Sequence, residues 1–464
     1  MPRISIEHQR EVVEDFAKRI REKKIQGPKP ATAVINFRND KRDNFERPVE
    51  LVPIELLRYR KENGRIASDV ANYQKCNGPL RDDDDGHQEI LRRFLEEKDQ
   101  EKTDILIKSI AHTGQNEPAI ITCDGFLING NRRKMSFEEL RKREPGREEF
   151  RYMKVVILPS SNDPGGAPTL LDIERLENRY QLQSEGKSEY YGFDRALSIK
   201  NKIELGFSLE EQLRDDPHFA RATDKEIDQA VKKAQMEYLL PLECVDRYLA
   251  LFGRDGLYSE VSSGRGDREG RWQAFLDYSA TSQRYFQNQK WMLEHGVEEE
   301  DVGGFEDAAF KIIKLRHLKA GLPKVHMLMR QLPKLCSYKE SRKEVLKISD
   351  EAESLLPAKE AKECGGDLEK YDEKWVERNQ QSIIHRARSA LDLQAGNQEK
   401  ETPLALLEAA YRKLTHENMS VNSIAVADFE KARKLTAEIQ KRANEIEREI
   451  YQCKKDHESL GRKK

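Results

Sequence analysis

Between residues 107 and 140 the sequence, IKSIAHTGQNEPAIITCDGFLINGNRRKMSFEEL, passes from helical to strand period and back, and few folds accommodate that punctuation. Helical spacing runs up to Gly114, which closes it, and the apolar run after Pro118, residues 119–122, has the length of a strand. Asp124-Gly125 is a hairpin signal and residues 126–128 return as a second strand. Gly130 breaks that strand, and helical spacing resumes over residues 132–143. Short strands set between helices in this way make a small α+β unit.

The flanks extend that unit. Residues 5–24 place Ile6, Val13, Phe16, Ala17 and Ile20 on one helical face, ended by Gly27-Pro28 and Pro30. Residues 31–37 lean toward strand, residues 38–47 are charged, and residues 49–57 read as a strand followed by a helical turn. The acidic run at residues 82–86 is a solvated loop rather than a calcium loop, because the later ligands of such a loop are missing. Residues 88–111 are helical, residues 154–158 form another strand, and residues 159–166 are a loop or a domain boundary.

Beyond residue 168 nearly everything has helical period, with loops at residues 253–270, at Gly365-Gly366 and at residues 396–401. Trp272, Trp291 and Trp375 have apolar neighbours and read as core. Near the end Ala432, Leu435, Ile439, Ala443, Ile446, Ile450 and Cys453 approach heptad spacing, which suits a packing helix or a homodimerising coiled coil equally. The expected fold is an α+β N-terminal domain followed by a mostly α-helical C-terminal region. Its parts are an N-terminal helix and arm at 1–44, the α+β domain at 45–162, a helix-turn-helix-like domain at 168–252, a helical domain at 271–395 and C-terminal helices at 402–464.

Charge and cysteine content narrow the classes. Charged residues make up 36% of the chain and hydrophobic residues 37%, the balance of a helix-rich protein with a large solvated surface. With 82 Lys+Arg against 84 Asp+Glu there is no global bias toward nucleic acid. Cys76, Cys123, Cys244, Cys336, Cys364 and Cys453 stand singly, without CxxC pairs or a histidine at zinc spacing, which suits a reducing compartment. The start, MPRISIEHQR, lacks the apolar segment of a signal peptide, and no window reaches about 18 apolar residues. A cytoplasmic protein with no membrane partner is expected.

The turn Gly130-Asn131-Arg132-Arg133 carries the chemistry. It delivers a strand into the first turn of a helix, whose N–H groups and partial positive charge attract phosphates. Gly130 lets a phosphate approach the backbone, and Arg132 and Arg133 offer bidentate charge-assisted bonds. A tight turn with surface arginines fits the same spacing.

The segment resembles the ParB/sulfiredoxin superfamily, in which a helix, a strand pair around a DG turn and a Gly-x-Arg-Arg turn follow one another. In ParB-type partition proteins the turn usually reads Gly-Glu-Arg-Arg and binds the triphosphate of CTP. Residues 49–66, VELVPIELLRYRKENGRI, resemble the family's first motif, which implies that Asn63, Gly64 and Arg65 line the same pocket. Residues 173–181, IERLENRYQ, resemble its third, which implies that Glu177 and Asn178 help to hold magnesium and the phosphates. The resemblance covers residues 45–250 and implies a nucleoside triphosphate, CTP or ATP, with Mg as cofactor. Asn131 stands where glutamate is usual, which leaves nucleotide identity and hydrolysis open. In the sulfiredoxin version that position is a catalytic cysteine; Cys123 lies too early, so reductase chemistry is not expected. Small-molecule kinases of the same fold use a glutamate near the first motif as base, and Glu62 is the residue in that neighbourhood.

The resemblance also implies a helix-turn-helix domain over residues 190–250, where Ser208 and Glu211 form a capping box. From Tyr190 to Glu243 there are 8 Lys+Arg against 11 Asp+Glu, a poor balance for neutralising DNA phosphates. Residues 311–324 with His326 and Arg330 fit a nucleic-acid patch or a solvated helix face. The expected function is a ParB-like nucleotide-binding protein in DNA-associated processes: partition, regulation or defence. Its expected partners are nucleotide, DNA through the helical region and a second copy of the chain. Two alternatives remain, an enzyme on the same fold (NTPase, phosphotransferase or nuclease) and a helical interaction scaffold with a vestigial pocket.

Overall fold

A computed structural model of the chain describes residues 9–461 apart from 28–30, 36, 39–45, 99, 164, 183–191, 217–218, 220–221, 263–267, 317, 319–320, 416–420 and 426–427. The chain forms two compact units, Met1–Asp392 and Leu393–Lys464. In the first, α1 (Glu14–Lys23) leads to β1 (Ile25–Gln26), a two-stranded ribbon of β2 (Thr32–Val34) and β3 (Glu46–Pro48), and β4 (Glu50–Pro53). A 3-10 turn (Ile54–Leu56) follows β4, and a second (Gly64–Ile66) opens α2 (Ala67–Asn77). Next come α3 (Asp85–Lys98), α4 (Gln100–Thr113), β5 (Ala119–Ile121), α5 (Asn131–Arg143), β6 (Tyr152–Ile157) and α6 (Leu170–Leu182).

The four-stranded sheet has the order β1-β4-β6-β5 and is antiparallel except between β5 and β6. Val52 pairs with Met153, and Ala119 with Val155. Side chains alternate across a strand, so one register serves two cores. Val52, Met153, Val155, Ala119 and Ile121 pack with Leu91 and Leu95 of α3, Ile107 and Ile110 of α4, and Met135, Phe137 and Leu140 of α5. On the other face Ile120, Val156 and Leu158 pack with Ile173 and Leu176 of α6 and with Ile35 and Phe37. The small mixed sheet is therefore covered on both sides.

The expected hairpin is present as a tight turn. Thr122 N–H donates to the Phe126 carbonyl at 2.9 Å and Ile128 N–H to that of Ile120 at 2.9 Å. Gly125 has φ 90°, and a Cβ there would lie 2.4 Å from the Leu56 carbonyl oxygen, so the turn admits only glycine. The fully buried Asp124 carboxylate accepts from Thr122 Oγ1 at 2.6 Å, Val13 N–H at 2.9 Å and both its oxygens from Arg10 Nη1 at 2.8 Å. The Val13 bond closes the N-terminus of α1, and Arg10 stacks over Phe126 at 4.5 Å. This corrects the helix expected over residues 5–24. Arg10 N–H bonds the Pro168 carbonyl and Gln9 bridges Thr169, which holds residues 9–13 extended, and the helix starts at Glu14; Ile6 lies outside the described residues.

The remainder is helical: α7 (Gly192–Glu204), α8 (Leu209–Arg214), α9 (Asp224–Ala234), α10 (Leu240–Leu251), α11 (Ser259–Ser262), α12 (Arg268–Thr281), α13 (Gln289–His295), α14 (Glu299–Lys314), α15 (Val325–Ser337), α16 (Lys339–Glu351), α17 (Ala358–Glu363) and α18 (Leu368–Leu414). Capping boxes at Ser208 with Glu211 and at Thr223 with Glu226 start α8 and α9. A π-helical turn, Gln235–Leu239, precedes Pro241 and absorbs the bond that proline cannot donate. The core joins Tyr248, Phe275, Phe310 and Trp375; Trp272 is also buried, whereas Trp291 is half-buried.

Three further expectations are corrected. The loop at residues 253–270 is interrupted by α11, and α12 begins within it. Residues 396–401 lie inside α18: one glycine costs a helix only about 1 kcal/mol, and the Gln, Glu and Lys around Gly396 favour it. The basic segment from residue 311 is only partly on the surface: Arg316, Lys324 and Arg330 are exposed, and His317 and Lys319 lie outside the described residues. Lys311 and Lys314 are buried, Lys311 on Asp307 and the Ser349 carbonyl and Lys314 on Asp372, while Arg330 pairs with Asp277. In the second unit α19 (Phe429–Gly461) carries the near-heptad residues, with Leu435, Ile439 and Ile450 exposed. Among the described residues no helix is long and apolar enough to cross a membrane.

Replacing Asp124 strands Arg10 and uncaps α1. Asp124→Ala is expected to cost about 3 kcal/mol, the usual loss when one partner leaves a buried ion pair. Urea unfolding of the full chain measures it, and a loss below about 1 kcal/mol, as for an exposed pair, would show that the arm is not held there.

Candidate functional site

Gly130 has φ 91° and ψ 12°, the left-handed conformation that turns the chain from the hairpin into α5. A Cβ at that position would lie 2.7 Å from the Ala119 Cβ, so packing against β5 requires glycine before any ligand is considered. Lys134 N–H makes the first bond of the helix, to the Gly130 carbonyl at 3.0 Å, so the positive end of α5 lies over residues 131–133. Asn131 Oδ1 is buried there without a hydrogen-bond partner. Arg132 is half-buried at the same end.

Arg133 points elsewhere. Its Nη1 bonds the carbonyls of Glu117 and, at 2.9 Å, Pro118, which staples α5 to the entry of β5. Burial presses its guanidinium below the ordinary value, against the pull of Glu117 and Tyr180. The two arginines of the turn thus have different duties.

The first and third motifs meet through a residue that sequence reasoning missed. Arg58 pairs with the strand at Phe126 and Leu127, so the chain leading to Asn63 runs beside the chain leading to Gly130. Two residues on, Arg60 is buried and reaches Glu174 Oε1 at 3.1 Å and Glu177 Oε2 at 3.2 Å. Burial opposes the Arg60 charge, but Glu177, Glu174 and Glu62 outweigh it and hold the guanidinium above its ordinary value. Glu177 Oε1 also accepts the Gly64 N–H at 3.4 Å, and the buried Asn63 side chain accepts the Arg65 N–H at 3.0 Å. Arg65 itself is half-buried.

Lys202 of α7 completes the cluster, 3.9 Å from Glu174 Oε2 and 3.4 Å from Asn178 Oδ1. The Asn178 amide donates to the Gln212 carbonyl at 3.0 Å, and Gln212 bonds the Phe207 carbonyl at 2.8 Å. Arg60 and Lys202 against Glu174 and Glu177 is a neutral quartet. Burial, then Glu177, holds the Glu174 carboxyl above its ordinary 4.5, with Lys202 and Arg60 pulling it down. One turn beyond Glu177, Tyr180 lies close enough to Arg133 for their charges to interact, which brings α6 alongside the α5 end.

The expected metal role of Glu177 and Asn178 does not fit these contacts. Both Glu177 oxygens meet N–H donors of Arg60 and Gly64, and Asn178 Oδ1 faces an ammonium, where cations already stand. No group of three or more His, Cys, Asp or Glu among the described residues could hold a metal ion. Glu62 is 43% exposed, 3.9 Å from Arg60 and 4.0 Å from Lys61. Its neighbour Asp82 is held above its ordinary value by burial and then by Glu62. The Cys123 thiol is pushed up to about 12 by burial and then by Asp124, so it keeps its proton at neutral pH.

One signal could have revealed the quartet: Glu174 and Glu177 stand three apart on a helix, a spacing that puts both carboxylates on one face and calls for cations. No family model, curated protein or solved structure matches the chain.

Two outcomes follow from the geometry. Gly130→Ala combines left-handed strain with the Ala119 clash and should cost about 2 kcal/mol, read by urea unfolding. For Glu174, a folded pKa above 4.5 means that the unfolded chain ionises first as pH rises, so the folded state loses stability from 4.5 up through the raised value. Glu174→Gln removes that loss, and its stability relative to wild type should climb between pH 4.5 and pH 7. A difference constant across that window would count against a raised Glu174 carboxyl.

Proposed function

We propose that the chain is a ParB-like nucleotide-binding protein acting in a DNA-associated process such as partition, regulation or defence, and that it takes the phosphates of CTP or ATP at the Gly130–Arg132 end of α5. The observation that carries this reading is the buried Asn131 Oδ1 without a partner at the positive end of that helix. A buried polar atom left unmatched is costly, and a carboxamide can turn either its oxygen or its NH2 toward a ligand. Arg132 on the same turn supplies a cation, and Arg65 lies on the 3-10 turn that follows Asn63. Arg133, Glu177 and Asn178 then shape the site without touching the nucleotide, and no step is assigned to a metal held by them.

DNA contact through α8 and α9 draws less support. Both helices begin with acidic residues, Glu210 and Glu211 in one and Asp224 and Glu226 in the other, and these repel phosphates at the end a recognition helix usually offers. The same internal use of Arg133, Glu177 and Asn178 favours a second reading, an interaction scaffold whose pocket is vestigial.

Isothermal titration of the full chain with CTP, ATP and GTP, with and without magnesium, separates the two. Saturable heat with at least one nucleotide, weakened about tenfold or more by Arg132→Ala as for a lost charge-assisted contact, is the expected result. Silence with every nucleotide would sink the nucleotide reading. Partner capture that survives Arg132→Ala would then favour the scaffold.

A further inference from the structure

The second unit carries a long helix whose apolar strip its own chain leaves open. Among the described residues of α19 only Ala432, Glu445 and Ile446 are half-buried and the rest are exposed, Leu435 at 57%, Ile439 at 41% and Ile450 at 55%. At 3.6 residues per turn Ala432, Leu435, Ile439, Ala443, Ile446 and Ile450 fall within about 80° of one another about the helix axis, so they form one strip. Their order repeats after eleven residues: Ala432, Leu435 and Ile439 return as Ala443, Ile446 and Ile450. That period is about 3.67 residues per turn, close to the period of a straight helix, so the strip runs along the axis instead of winding around it. Helices in folded proteins draw most of their stability from packing such a face, and α19 packs little of its own.

The strip is complementary to itself when a second copy runs the other way. With the two-fold axis beside Lys441, Ala432 meets Ile450 of the partner subunit and Ile439 meets Ala443 of the partner subunit, so each of these layers sets a small residue against a large one. A parallel copy sets Ala432 and Ala443 each against itself and leaves those layers underfilled. Charge agrees with the antiparallel pairing. Along one flank of the strip Lys431 comes opposite Glu449 of the partner subunit and Glu438 opposite Arg442 of the partner subunit, and the two-fold repeats both pairs. Arg442 already lies along that flank, 3.1 Å from Glu445 and 3.1 Å from Glu449 of its own helix.

We propose that α19 is a homodimer interface, covered by α19 of a second copy of the chain in antiparallel orientation. The interface takes no residue from the end of α5, so it stands apart from nucleotide binding. The near-heptad spacing alone admits either orientation; the alternation of alanine with isoleucine and the order of charges on the flank select one.

Sedimentation velocity of the full chain without nucleotide, at micromolar concentrations, should show a reversible monomer–dimer equilibrium. Ile439→Asp puts a charge into a central layer and should weaken the dimer about tenfold or more. Glu438→Arg, an exposed position that folds in any case, sets like charges together and should also weaken it. Orientation is read with a spin label on Cys453 in a Cys76→Ser background, since these two cysteines are exposed and the other four buried. Antiparallel copies place Cys453 opposite residue 429, so the two labels should lie about 36 Å apart at 1.5 Å per residue. Parallel copies bring them to about the 10 Å spacing of packed helices, which broadens the spectrum. A monomer at every concentration, a dimer indifferent to both substitutions, or closely spaced labels would each overturn the proposal.

Discussion

Arg60 is the residue on which the arrangement of the candidate site depends. It leaves the sheet just after the strand bridge at Arg58 and enters a buried space already holding Glu174 and Glu177. Two carboxylates that close cannot share a buried space without cations, and Arg60 and Lys202 bring the charge to zero. The quartet therefore fixes the rotation of α6 about its axis. With that rotation set, Ile173 and Leu176 fall on the sheet, Glu177 receives the Gly64 N–H, and Tyr180 comes near Arg133. A buried ion pair contributes little net stability over a packed apolar pair, but its directionality selects one docking geometry over its neighbours.

Much of the α+β part was legible because its signals are local. The strand at β4 with its helical turn, the Asp124-Gly125 turn, the break at Gly130 and the Ser208 capping box each depend on residues a few positions apart. What escaped was decided by partners far along the chain. Residues 9–13 have helical spacing, yet they lie extended because Asp124 and Pro168 bind them. Lys311 and Lys314 read as solvated because their partners include Ser349 and Asp372, distant in sequence and close in space. Arg133 reads as a phosphate ligand beside Arg132, but at successive positions on a helix two side chains point about 100° apart. Arg133 therefore turns away from Arg132 to the start of β5.

The glycines show how a motif can be right for two reasons. A strand delivering a helix N-terminus beside a neighbouring strand needs a left-handed residue with no Cβ, and Gly130 meets that need against Ala119. A phosphate-binding turn needs the same backbone. The residue therefore cannot discriminate a site from a joint, and the burden passes to Asn131, whose oxygen the fold leaves unmatched. Packing explains the glycine; it does not explain the carboxamide.

The two buried charge clusters differ in how completely their groups satisfy one another. Around Arg60 the charges cancel and the groups satisfy one another, so the cluster is complete without a ligand. Around Arg254 they do not: among the described residues the Tyr248 hydroxyl, the Arg271 Nε and both Glu260 carboxylate oxygens are buried without a hydrogen-bond partner. A fold selected only for stability gains from removing such groups, since replacing Tyr248 by phenylalanine keeps every ring contact with Phe252, Phe275 and Phe310.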